Sequence, residues 1–332
     1  MRYITVNCGS TNLRLSLYED GARISSVKRT AGGRDTARTG DSGFLRASFR
    51  DALAEIIAGA GLRESDVDIV LVSGTITSSV GIYHIHHIPA PAGIDDTAAH
   101  SELVTLPDVS SVNMLFIPGI KTLAPPYVMP GTPEYIDGFD SMSGEECEIY
   151  GFMKLLGLGG EFVIALPGSY NKTLLVGPDG RISKMRTGMC GEFMTSVAEN
   201  TLIGYTLPHP VIRRVIPEKL IEGFDYARSR GISPALSKSR MVATLCGYSP
   251  DETGCFFAGA ALADDIAATE SLCDERLPLV IGGASPLREV FGILLRHTGV
   301  ATAGIVAVTD EENDEASSVG EFEVWKRFSG MR

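Results

Sequence analysis

No apolar run in the 332-residue chain approaches the roughly 18 residues that a bilayer-spanning helix needs. There is no C-x-x-C pair either; the six cysteines stand apart at 8, 147, 190, 246, 255 and 273. In a chain of this length that pattern reads as reduced, buried thiols, not as a disulfide framework. Basic charge is also scarce. A formal net charge of -12 leaves no cationic stripe to release phosphate counterions, which excludes a nucleic-acid or anionic-membrane partner. The start carries one basic residue, Arg2, before an apolar run, so no signal peptide is expected and the cytoplasm is the expected compartment. No segment is of low complexity. Such a protein can still bind a small anion, because a nest of backbone N–H groups with Mg²⁺ holds phosphates whatever the net charge.

What the sequence does contain is a set of short apolar runs, each stopped by glycine. They are ITVNCG (4–9), DIVLVSG (68–74), NMLFIPG (113–119), FVIALPG (162–168) and PLVIGG (278–283). Runs of this kind are buried strands whose C-terminal ends turn sharply, the edge of an open α/β sheet where ligands gather. Helical periodicity separates them. It is clearest over 44–60, where Leu45, Phe49, Leu53, Ile56 and Ala60 share a stripe, with Asp41 or Ser42 as cap and Gly61 as stop. Further helices are expected over 145–156, 192–202, 255–273 and 286–297. The acidic stretch TDEENDEASS (309–318) reads as a solvated loop before a last helix.

One device occurs twice. Gly9, Ser10 and Asn12 correspond to Gly168, Ser169 and Asn171 at a constant offset, which also relates Asp20-Gly21 to Asp179-Gly180. Each copy reads strand, Gly-Ser turn, strand, Asp-Gly hairpin turn, strand. The fold class is therefore α/β with a duplicated domain, the halves meeting near 130–145. A Gly-Ser/Thr turn between antiparallel strands can present N–H groups to a phosphate, and Asn12, Arg14 and Lys172 add donors. A plain hairpin and solvated edge residues are the alternative.

SMSGEECEIYGFM (141–153) places Gly144 before a helix with Glu145 at its first turn. A carboxylate there can take a proton from an attacking alcohol, or it can simply complement the helix dipole. In VIGGASPLREVF (280–291) the glycines allow a flat ring to lie on the backbone, or make a tight turn. His84 and His86 fall on one face of an expected strand; without an acid or cysteine at ligand spacing they read as partly exposed strand residues, not as a metal site.

In this order the motifs resemble the sugar-kinase, Hsp70 and actin superfamily. Within it they resemble the 2-dehydro-3-deoxygalactonokinase family, through GSTNLR (9–14), SGTITSSVG (73–81), FIPGI (116–120), MSGEECEIYG (142–151), LPGSYNKTLLV (166–176), TGMCGE (187–192), LIG (202–204) and IGGASPLREVF (281–291). The resemblance implies two RNase H-like, actin-like ATPase domains with a ligand cleft between them: 1–135 with the first phosphate loop and the sugar-acid contacts, and 136–332 with the catalytic acid, the second phosphate loop and the adenosine turn. It implies ATP-dependent phosphorylation of a primary hydroxyl on a 2-keto-3-deoxy sugar acid such as 2-dehydro-3-deoxy-D-galactonate.

By the same resemblance Gly9, Ser10, Thr11 and Asn12 form the first phosphate loop, and Gly168, Ser169 and Lys172 the second. Glu145 is the catalytic acid, Gly282, Gly283 and Ala284 flank adenine and ribose, and Gly74, Thr77, Ser78 and Ser79 meet the sugar acid. ATP and Mg²⁺ are the implied cofactors, with a homodimer left open. The chain departs from the family pattern at Asn7, where the first strand usually ends in Asp; Mg²⁺ would be met there through water, or be held mainly by the nucleotide. It departs again at Ser143, where the acid motif carries Arg; at Ser169-Tyr170, in place of Thr-His; and at Ile82, in place of Trp. Two other functions stay open: a phosphotransferase acting on a carboxylate, as in the acetate kinase branch where Asn stands at the first loop, and an actin-like nucleotide-binding module without an acceptor.

Overall fold

Strand β1 (Arg2–Cys8) alternates Ile4, Val6 and Cys8 into a core, and Tyr3 and Thr5 on its other face are buried as well. It is followed by β2 (Leu13–Glu19) and β3 (Ala22–Arg29), and the turn between them holds Asp20 and Gly21 at positive φ, as an Asp-Gly hairpin requires. Next come α1 (Gly33–Thr39), α2 (Gly43–Gly59) and β4 (Ile69–Gly74). Helix α2 starts after Ser42 and buries Leu45, Phe49, Leu53 and Ile56, the stripe its periodicity predicts. Then follow β5 (Ile88–Pro89), α3 (Ile94–Ala99), β6 (Glu102–Leu106), β7 (Ser110–Phe116), β8 (Ile120–Thr122), α4 (Pro133–Ile136), β9 (Asp140–Met142) and α5 (Glu145–Leu155).

The remainder comprises β10 (Phe162–Leu166), β11 (Asn171–Val176), β12 (Ile182–Gly188), α6 (Cys190–Asn200), α7 (Pro217–Arg230), α8 (Ile232–Leu245), α9 (Pro250–Ala261), α10 (Ala263–Glu270), β13 (Pro278–Ile281), α11 (Leu287–Thr298), β14 (Gly304–Ala307) and α12 (Asp310–Gly330). This computed structural model describes residues 1–331.

The duplication inferred from the sequence is visible in topology. One sheet runs β3-β2-β1-β4-β7-β6 and another β12-β11-β10-β13-β14. In each, the first strand of the repeat pairs antiparallel with the second and parallel with a later strand: β1 with β2 and β4, β10 with β11 and β13. A right-handed crossover is the usual route between such parallel neighbours. A small third sheet, β5-β8-β9, carries the segment that leads into α5.

The chain separates into two compact units: 1–160 with 177–184 and 311–332, and 161–176 with 185–310. These do not divide at residue 135. Helix α5 and most of α12 belong to the first unit, whose core centres on Val6, Phe49, Val72 and Phe116. In the first unit Glu321 of α12 accepts from Val6 N–H and from the Ser73 hydroxyl, at 3.1 and 2.6 Å. The Asp-Gly hairpin at 177–184 is held to the same unit by a bridge from Ile182 to Ala92 and by Arg181 on Asp96. The second unit has its own core around Phe224, Phe257, Phe291 and Leu294.

Three expected elements change. The acidic stretch 309–318 is not a loop: α12 begins at Asp310, because carboxylates in a first turn complement the partial positive charge of a helix start. Arg23 and Tyr18 also receive Asp314 and Glu315. The single helix expected over 255–273 is two, α9 and α10, parted at Leu262. The stretch holding His84 and His86 is irregular, not a strand; both are exposed and their rings meet edge to face at 5.0 Å.

Candidate active site

In the first unit, the ends of β1 and β4 and the start of α5 converge on glycine backbone. Gly74 sits at φ +95°, and a Cβ there would lie 2.1 Å from the Cys8 carbonyl oxygen. Gly144, at φ +107°, comes so close to Gly74 that its own Cβ would lie 3.0 Å from the Gly74 Cα. Only glycine serves at either place.

The first turn is tied inward by its carbonyls. Gly9 N–H donates to Asn12 O at 2.8 Å; Gly33 N–H and Arg34 N–H, at the start of α1, donate to Gly9 O and Ser10 O. The Thr75 hydroxyl donates to Gly9 O at 2.8 Å. Thr11 and Asn12 are half-buried, and the Asn12 amide donates to the Thr11 hydroxyl. Arg14 is exposed on β2 and pairs with Asp314 at 3.9 Å. The Asn7 amide nitrogen donates to Ser317 Oγ at 2.5 Å.

The two acids that follow Gly144 part company. Glu146 is fully buried and both its oxygens accept from Gly144 N–H at 2.9 Å; burial, then Glu145, pushes its carboxyl up to about 8. Glu145 is half-buried and accepts from Ser143 N–H at 3.0 Å. Glu148, half-buried and one helical turn on, is pushed up to about 7 by burial and by Glu145, with Arg14 and Asn7 acting against the rise. Sequence reasoning misses Glu148, although its i, i+3 spacing from Glu145 puts both on one helix face.

The residues expected to meet the sugar acid behave unequally. Gly74 and Thr77 are buried, and the Thr77 hydroxyl donates to Gly74 O at 3.0 Å. The Ser78 hydroxyl closes the same turn on Thr75 O, while Ser79 is exposed.

The second unit brings three segments together. Gly168 and Ser169 are half-buried. On one side Gly191 abuts them, since a Cβ there would lie 2.2 Å from Gly168 O, and Glu192 N–H donates to Ser169 O at 2.9 Å. On the other, Gly283, at φ +79°, abuts Pro167, whose carbonyl oxygen would lie 2.4 Å from an added Cβ; Gly282 N–H donates to Ala165 O. Arg288 donates to Gly283 O at 2.9 Å. Lys172 is 7% exposed and its ammonium donates to Thr187 Oγ1 at 2.7 Å, so the lysine works across the hairpin.

Beside Gly188–Cys190 opens a cavity of about 960 Å³, lined by Phe193, Leu236, Met241 and Ala261, with Arg240, Asp264 and Asp265 among its polar residues. Gly282, Gly283 and Ala284 are not in its lining. Burial raises the Asp265 carboxyl to about 6. No feature of α8 marked this cavity in the sequence, since an apolar helix stripe reads as core. No cluster of three His, Cys, Asp or Glu suited to a metal occurs among the described residues. No helix among them is long and apolar enough to cross a membrane.

Residues 7–313 match the 2-keto-3-deoxy-galactonokinase family, a span that holds both turns, the acid motif and the Gly-Gly-Ala segment. The chain belongs to that family. The 2-dehydro-3-deoxygalactonokinase of Escherichia coli (strain K12) is 25% identical over 272 residues, 80% of each chain. A solved structure from Sinorhizobium meliloti, provisionally assigned as a 2-dehydro-3-deoxygalactonokinase, superposes with a TM-score of 0.73 at 20% identity, covering 98% of this chain and 96% of that one. The activator of 2-hydroxyisocaproyl-CoA dehydratase from Clostridium difficile, solved with bound ADPNP, gives 0.52 at 12% identity, with 100% and 97% covered. These two structures speak to fold, and they agree with the actin-like ATPase architecture. A member of the 2-keto-3-deoxy-galactonokinase family is a sugar-acid kinase, with ATP as its substrate. Neither the carboxylate phosphotransferase nor the module without an acceptor gains support.

Proposed function

We propose that the protein transfers the γ-phosphoryl group of ATP to the primary hydroxyl of a 2-keto-3-deoxy sugar acid, with 2-dehydro-3-deoxy-D-galactonate as the first candidate. The observation that carries this reading is the contrast between two adjacent acids. Glu146 is buried and folded onto Gly144, whereas Glu145 is half-buried and oriented by one main-chain N–H. An oriented carboxylate at a helix start suits a general base.

The acceptor oxygen forms a bond to the γ-phosphorus as the bond from phosphorus to the β–γ bridging oxygen breaks. That electron pair leaves with ADP, and the hydroxyl proton passes to the Glu145 carboxylate. In the first unit the main-chain N–H groups of Ser10 and Thr11 would stabilise the charge on the phosphoryl oxygens, Gly9 N–H being spent on closing the turn to Asn12 O. In the second unit those of Gly168 and Ser169 would do the same, and in both turns the carbonyls are already bound inward. Asn12 and Ser10 would support the first turn. Lys172, bonded to Thr187, would hold the second hairpin and add positive potential.

Adenosine belongs to the second unit in this reading, with Gly282–Ala284 against ribose and base. The sugar acid would meet Gly74 and Ser79.

A divalent cation also fits, as an ion carried by the nucleotide phosphates. The chain offers oxygen donors at Asn7, Glu145 and Glu148, and no three-residue protein cage among the described residues, which is how Mg²⁺ is usually held. When bound it would neutralise phosphate charge. Asn7, fixed by Ser317, would meet it through water.

An ADP-release screen across 2-keto-3-deoxy acids, aldonates and short carboxylates tests the proposal, with hydroxylamine added to trap any acyl phosphate. Turnover confined to the keto-deoxy acids, with a product inert to hydroxylamine, is expected. Turnover on a carboxylate with hydroxamate formation would reverse it.

A further inference from the structure

The small sheet β5-β8-β9 sets up a contact that links a histidine to the acid motif. Ile88 pairs with Ile120, and Ile120 with Met142, so these three residues form one row across the sheet. Because β5 and β8 are parallel and β9 runs against them, the next row outward is His87, Gly119 and Ser143. The middle position has no side chain. The His87 ring crosses it: a Cβ on Gly119 would lie 2.6 Å from His87 Cδ2 and 2.9 Å from its Nε2. On the far side His87 Nε2 hydrogen-bonds Ser143 Oγ at 2.9 Å. Ser143 N–H then donates to Glu145 Oε2 at 3.0 Å, and the next N–H, that of Gly144, goes to Glu146.

The turn 143–144 therefore deals one N–H to each acid, and its side-chain anchor is His87. Histidine reaches across the glycine, and serine is small enough to accept it. We propose that His87 is a positioning residue for Glu145: through Ser143 it fixes the turn whose main-chain N–H aims the carboxylate. This rests on the reading of Glu145 as the base. A carboxylate displaced by a fraction of an ångström from an attacking hydroxyl loses rate while nucleotide binding is untouched.

The test is a double-mutant cycle on the intact chain, measured as steady-state ADP release on the keto-deoxy acid. Glu145→Gln is run alongside, and thermal denaturation is recorded for every variant. His87→Ala and Ser143→Ala should each lower kcat by about 10- to 100-fold, with KM for ATP within about twofold. The double variant should lose no more than the worse single one, since the two residues act as a unit. His87→Gln, whose amide can reach Ser143, should recover most of the rate.

Additive losses, or an unchanged kcat in Ser143→Ala, would overturn the proposal. So would a melting temperature lowered with kcat per folded molecule intact, the result expected of a packing residue. If His87→Ala does not fold, Ser143→Ala and His87→Gln decide by the same criteria. Should Glu145→Gln keep its turnover, the base assignment itself fails, an outcome separate from a failed cycle.

Discussion

Gly144 lies against Gly74: a methyl group on the first would sit 3.0 Å from the Cα of the second. This contact joins the end of β4, in the middle of the six-stranded sheet, to the residue that opens α5. Both glycines hold positive φ, so the approach is fixed by backbone alone. The acid-bearing helix thus starts at the strand ends, beside the turn 9–12 that Thr75 ties down.

Gly74→Ala should therefore be severe. The new Cβ would meet the Cys8 carbonyl at 2.1 Å, and φ +95° is strained for alanine. A loss of about 3 kcal/mol or more is expected, read as a lower denaturation midpoint. Gly144→Ala should cost less in stability, because its nearest clash is at 3.0 Å, and more in turnover, because it moves the start of α5.

Stability should fall as pH rises through neutrality. Glu321 and Glu146 are buried and both carboxyls are pushed up to about 8, chiefly by burial. An acid whose folded pKa lies above its unfolded value binds more protons when folded. Its contribution is complete below about 4.3 and is lost as pH climbs to about 8. Thermal melts across that range should show a declining midpoint, and Glu321→Gln, which stays neutral, should flatten the decline. An equal slope in the variant would remove Glu321 as a source.

Thiol chemistry should distinguish the cysteines. Cys8 and Cys147 are buried and burial raises both thiols, that of Cys8 to about 11; Cys246 is exposed at the end of α8. A colorimetric thiol reagent on the native protein should label one site fast. Cys246→Ser should abolish that phase, with the others released on unfolding.

Much of this was legible in the sequence, and the reasons are local. Glycines that end apolar runs mark strand ends, so Gly9, Gly74 and Gly168 announced the turns, and the repeated Asp-Gly hairpin announced the duplicated topology. The start of α5 at Glu145 followed from Gly144. The opening of α12 was hidden because an acidic run looks solvated until Arg23 and Tyr18, far away in the chain, supply its partners. Leu262, where α9 gives way to α10, carries no breaker residue. The His87–Ser143 contact spans 56 residues and depends on the register of a three-stranded sheet, which periodicity does not specify.

The role of Glu145 is tested most directly by the turnover of Glu145→Gln on 2-dehydro-3-deoxy-D-galactonate, with ADP affinity measured on the same preparation. Loss of turnover by a factor of about 100 or more, with nucleotide affinity preserved, is the predicted result. Turnover within a few-fold of the unaltered protein would contradict the assignment of Glu145 as the base.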